Sequence, residues 1–137
     1  LGDVYKRQAY KEYAIADTNE VQSVTTAAAG ECDVLYIPTD NTLASVTETV
    51  YNVVAPAKIP VIAGEEGICN GCGVATLSIS YYDLGYATGE MAYEILAEGA
   101  DITTMDVRYA PNVTKKYNAK ICEELGITVP DDYVAIQ

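Results

Sequence analysis

Asp33-Val34-Leu35-Tyr36-Ile37-Pro38-Thr39-Asp40-Asn41 is the stretch from which the fold can be read. Its apolar run is too short for a helix with one wet face. It ends at a proline, so it reads as a buried strand opening into a helix start. Two similar transitions follow. Ile59-Pro60-Val61-Ile62-Ala63 runs into Gly64-Glu65-Glu66-Gly67, and Ala75-Thr76-Leu77-Ser78-Ile79-Ser80 runs into Tyr81-Tyr82-Asp83. In a parallel sheet all three polar tips lie at the carboxyl ends of the strands. That is the edge where open α/β sheets bind ligands.

The intervening segments carry helical patterns. Val21, Val24 and Ala28 recur on one face before Gly30, with a short strand expected earlier, within residues 11–17. Residues 41–57 place Leu43, Val46, Val50, Val53 and Val54 on one stripe that Pro56 stops. Asp83 is expected to cap a long helix to about residue 98, with Leu84, Met91 and Ile95 inward. Gly85 and Gly89 in that helix each cost ~1 kcal/mol against Ala, which predicts a close approach to the sheet in return. Residues 107–109 read as a strand. Residues 113–125 read as a last helix, closed by Gly126 and Ile127. The order predicts an α/β fold: a mostly parallel open sheet with helices on both faces.

With 137 residues and half of them apolar, the chain is one domain with a real core. The net charge of −12 excludes a phosphate-backbone partner, because eight basic residues are dispersed among twenty acids. It argues equally against anionic membrane surfaces. No apolar run reaches the ~18 residues of a membrane span. The chain opens on Leu1-Gly2-Asp3, without Met, signal segment or acylation cysteine, which reads as a fragment or a mature form. Residues 1–8 fit no later pattern and read as a cloning or sequencing scar; 9–137 are the folded part.

Of the four cysteines, only Cys69-Asn70-Gly71-Cys72 has a meaningful spacing. Zinc needs four ligands, and the chain has no His and no second close Cys pair, so no metal is expected. Asn70-Gly71 reads as a turn in a Gly-rich loop, and the thiols as ordinary side chains or a local disulfide.

The tips carry the chemistry. Thr39, Asp40 and Asn41 form the first, Glu65 and Glu66 the second, Ser80 and Tyr81 the third. An Asp or Asn at such a junction commonly caps a helix, and acids in loops are commonly solvated. Tyr81 and Tyr82 are expected to point in opposite directions, one into the core. With no His, triad chemistry is impossible, and a carboxylate pair of the glycosidase kind is permitted but not demanded. No phosphate-binding glycine motif is present. Carboxylates and hydroxyls suit an ammonium group. Asp40 is the favoured partner, with Asn41 taking over the capping. No catalytic residue and no cofactor is expected.

Tyr36-Ile37-Pro38-Thr39-Asp40-Asn41-Thr42, the block from Ile59 through Ala63-Gly64-Glu65-Glu66-Gly67, and Ser80-Tyr81-Tyr82-Asp83-Leu84-Gly85-Tyr86-Ala87-Thr88-Gly89 resemble the ABC-transporter substrate-binding proteins of the tryptophan/tyrosine type. Leu125-Gly126-Ile127-Thr128-Val129-Pro130 looks like that family's closing segment. Ser80 stands where members often carry Asp, and the Cys69/Cys72 loop departs from the commoner pattern. The resemblance implies one lobe, the second, of a type I periplasmic-binding-protein-like fold, closing with an N-terminal lobe on a small molecule. It implies an amino acid ligand, aromatic favoured, ABC permease subunits as partners, and an extracytoplasmic lipoprotein. Thr39, Asp40, Asn41, Glu65 and Glu66 carry over as candidate ligand contacts. The alternatives are the ligand-sensing domain of a transcription regulator, which shares the fold, and a carboxylate-dependent hydrolase.

Overall fold

The structure is a computed structural model and describes residues 9–136. The stretch 1–8 lies outside the described residues. The elements are α1 (Val21–Glu31), β1 (Leu35–Ile37), α2 (Asn41–Ala44), α3 (Thr47–Ala57), β2 (Val61–Ala63) and α4 (Glu66–Cys72). They continue as β3 (Ala75–Ile79), α5 (Tyr81–Leu96), a 3-10 turn (Ile102–Thr104), β4 (Val113–Tyr117), α6 (Ala119–Leu125) and β5 (Val134–Ala135). The five strands form one sheet in the order β1-β2-β3-β4-β5. β1, β2 and β3 are parallel, β4 runs antiparallel to β3, and β5 is parallel to β4. The α/β architecture with a mostly parallel sheet is therefore as the sequence predicts.

Strand period two decides what is buried. Pairing of Leu35 with Val61 and Ile37 with Ala63 puts these four on one face. There Val21 of α1, Val50 and Val54 of α3, and Ile68, Cys69 and Cys72 of α4 close the core over Ile37, Val61 and Ala63. The alternate residues Tyr36, Ile62 and Leu77 face the other way and are exposed. A second, smaller cluster of Val74, Ile121 and Cys122 anchors α6.

Several expectations are corrected. Residues 11–17 form no strand. The 41–57 helix is two helices, broken at Ser45-Val46, where Val46 leaves helical geometry at φ −135° and ψ 32°. Pro56 sits inside α3, and the helix stops two residues later at Lys58, in the left-handed region at φ 55°. Residues 107–109 are irregular. The 113–125 segment divides into β4 and α6, because Asn118 caps a new helix by accepting from Ile121 N. Gly126 at φ 67°, followed by an Ile127 N to Cys122 O bond, closes that helix as expected.

The largest difference concerns α5. No residue of this helix is buried, and Leu84, Met91 and Ile95 are only partly covered. An added Cβ at Gly85 or Gly89 would meet nothing within 4 Å, so the expected close approach to the sheet is absent among the described residues. The helix is instead tied to the returning chain, with Arg108 Nη2 donating to both Glu94 carboxylate oxygens at 2.6 and 2.7 Å.

The Cys69–Cys72 stretch is a helix, not a Gly-rich turn. Glu65 caps it, and Gly71 allows α4 to lie against α3: a Cβ there would stand 2.1 Å from Thr47 Oγ1. Cys69, Cys72 and Cys122 are buried free thiols, and Cys32 is half-buried. Burial pushes the Cys69 and Cys72 thiols up to about 12, with the neighbouring Cys122 adding to the effect at Cys69. The thiolate is the reactive form. In native protein an aromatic disulfide reagent should therefore modify Cys32 first and the three buried thiols only on unfolding. Rapid modification of all four without denaturant would show that α4 and α6 open readily.

Candidate functional site

Parallel pairing brings the carboxyl ends of β1, β2 and β3 to one edge. The first two tips touch. Gly64 N donates to Ile37 O at 2.7 Å, and Thr39 Oγ1 donates to Gly64 O at 3.3 Å. Gly64 is required there for space: a Cβ would stand 2.6 Å from Thr39 N and 2.8 Å from Pro38 C.

Each tip then opens a helix whose first N–H groups need acceptors. Asp40 supplies one for α2, accepting from Leu43 N at 2.9 Å through Oδ1. Asn41 is the first helical residue and does not take over the capping, because the chain is still extended at Asp40 (φ −142°) and turns helical only after it. Glu65 supplies two for α4, accepting from Gly67 N at 2.8 Å and from Ile68 N. For α5 the cap is Ser80, which accepts from Asp83 N at 3.1 Å; Asp83 itself lies in the first turn. Tyr81 and Tyr82 are 61 % and 80 % exposed, and neither reaches the core. The strand ends at Ile79, so the two tyrosines follow helical rather than strand geometry.

Glu66 is different. Its Oε2 accepts from Lys116 Nζ at 2.7 Å and from Ser78 Oγ at 2.9 Å. The Lys116 ammonium, followed by the Ser78 hydroxyl, holds the Glu66 carboxyl below the usual carboxylate range. Lys116 lies fifty residues away in the chain and arrives through β4, where it pairs with Thr76. The helix expected over 113–125 hides it, since 113–117 is strand. Val113, Thr114 and Tyr117, β-branched and aromatic types favoured in strands, are the signal that the sequence carries. Asn118 was also missed. Besides capping α6, its Nδ2 donates to Cys69 O and Asn70 O at 3.3 and 2.9 Å, fixing the far end of α4.

The edge thus offers hydroxyls, backbone groups, helix-capping carboxylates and one ion pair. Among the described residues no group of three or more metal-ligating side chains occurs, and no helix is long and apolar enough to cross a membrane.

Residues 9–136 match the ABC transporter substrate binding protein family, and the chain belongs to that family. It is a family of binding proteins, not of enzymes, which removes the hydrolase alternative. The chain is 39 % identical over 113 residues to the tyrosine-binding protein of Clostridioides difficile strain R20291, covering 77 % of this chain and 32 % of that protein. Its fold is similar to that of a Streptococcus ABC domain solved in complex with L-Trp. The TM-score is 0.83 at 29 % identity, over 98 % of this chain and 48 % of that one. A ligand-free, open substrate-binding protein with adhesive properties from Clostridium difficile is also similar. It has a TM-score of 0.71 at 34 % identity, over 99 % of this chain and 48 % of that one. The chain therefore spans about half the length of the solved relatives and a third of the curated one.

Proposed function

We propose that this chain is the second lobe of an extracytoplasmic amino-acid-binding protein that delivers its ligand to ABC permease subunits, with an N-terminal lobe closing the other side of the cleft. Thr39, Asp40, Asn41, Glu65, Glu66, Ser80 and Tyr81 form the wall it contributes. The observation that carries the reading is the meeting of three strand ends at one edge, in a family whose similar members bind tyrosine and L-Trp. An aromatic amino acid suits an edge with polar caps and an exposed tyrosine. Membrane attachment as a lipoprotein belongs to the same reading.

The test is a titration of isotope-labelled chain with L-tryptophan, followed by amide chemical shifts. Shifts should concentrate at 39–41, 64–66 and 80–81. Changes confined to the opposite edge, around Lys58 and Gly73, would overturn the assignment of the wall.

A further inference from the structure

The acids at the strand-end edge are not equivalent. Asp40 lends Oδ1 to Leu43 N, and Glu65 uses both oxygens on its own helix. Asn112 Nδ2 approaches Asp83 Oδ2 at 3.5 Å. Glu66 alone is paired with a cation, and both of its bonds fall on Oε2, leaving Oε1 without a hydrogen-bond partner among the described residues. Lys116 has three donors, and Glu66 Oε2 is the one acceptor found for them among the described residues. The side chains of Lys116 and Glu66 are 27 % and 37 % exposed, so the pair is partly withdrawn from water yet open.

An α-amino acid head carries one ammonium and one carboxylate on a single carbon. Against a lone carboxylate in a chain of charge −12, its own carboxylate is repelled. Against a carboxylate–ammonium pair the two charges find partners of opposite sign side by side. We propose that the Glu66–Lys116 pair is the head-group site for a zwitterionic amino acid: Glu66 Oε1 accepts from the ligand ammonium, and Lys116 donates to the ligand carboxylate. The assignment rests on the amino-acid reading above and replaces Asp40 by Glu66 as the ammonium partner. Lys116 also explains how an acidic edge accepts a ligand bearing a carboxylate.

Three ligands separate the two charges: tryptophan has both, tryptamine lacks the carboxylate, and indole-3-propionate lacks the ammonium. Affinities are read by chemical-shift titration of the whole chain, with thermal melting of each variant as the fold control. Lys116→Met should weaken tryptophan about tenfold or more, the loss of one charge-assisted bond, and leave tryptamine unchanged or tighter. Lys116→Arg should restore most of the loss. Glu66→Gln should weaken tryptophan and tryptamine but not indole-3-propionate, and it tests the pair independently should Lys116→Met fail to fold. Variants that shift all three ligands equally, or none, would overturn the assignment while leaving the amino-acid reading standing. A parent chain that binds none of the three overturns that reading and the head-group site with it.

Discussion

Ile68→Ala lowers the stability of this chain by about 2–5 kcal/mol, the cost of emptying a fully buried branched site. Ile68 is 0 % exposed and belongs to the cluster joining α1, α3, α4 and the strands β1 and β2. Two features prevent the site from collapsing. Glu65 fixes the helix above it by accepting from Ile68 N itself, and Asn118 holds the other end of α4 through Cys69 O and Asn70 O. A helix tied at both ends cannot slide in to fill the gap. Ile68→Val, which removes one methyl, should cost about 0.5–1.5 kcal/mol. Denaturant unfolding of the two variants measures both. A loss below about 1 kcal/mol for the alanine variant would mean that α4 relaxes inward and is less firmly held than these bonds imply. Because α4 begins at Glu66 and is capped by Glu65, the alanine variant should also blur the tip.

The strands at the site were legible because each is a short apolar run that stops abruptly. Val61-Ile62-Ala63 runs into Gly64, and Ile37 precedes a proline that cannot continue a ladder. The polar tips were legible for the same reason: each abruptly ends an apolar run. Three things were not. The helix from Glu66 to Cys72 was hidden by its glycines. Gly71 is there for the Thr47 side chain of another helix, a tertiary reason that no local pattern carries. β4 was hidden by Lys115 and Lys116, which look like a wet helical surface. In the structure Lys115 reaches Asp132 while Lys116 reaches Glu66, as alternation requires. The apolar stripe of α5 predicts sheet cover, but a stripe says that a face wants a partner without saying which. Asp40 caps its helix, as an Asp at such a junction commonly does, whereas Glu65 and Ser80 also serve backbone N–H groups and the cation beside Glu66 comes from the far side of β3, which no local pattern carries.

Gly64→Val should be the most damaging single change at the tips, in stability and in ligand binding together. The reason is space, not backbone conformation, since Gly64 is not among the described residues with positive φ. A Cβ at Gly64 would lie 2.6 Å from Thr39 N, 2.8 Å from Pro38 C and 3.0 Å from Pro38 Cα. All three are backbone atoms, so no rotamer change relieves the contact. The ends of β1 and β2 must part. That strains the 2.7 Å bond from Gly64 N to Ile37 O and the Thr39 Oγ1 to Gly64 O contact, which together set the spacing of the first two tips. Overpacking of this kind costs about 1–3 kcal/mol, and the displaced Thr39-Asp40-Asn41 tip no longer faces Glu65 and Glu66 as a ligand would need. Gly30→Ala is the matched control. It sits in the last turn of α1 with nothing within 4 Å of an added Cβ. There, relief of helical glycine entropy should raise stability by roughly 0.5–1 kcal/mol. Thermal melts and tryptophan titrations of the two variants should move in opposite directions in stability, with only Gly64→Val losing affinity. A Gly64→Val chain that melts with the parent and binds tryptophan equally well would show that the two tips need not touch.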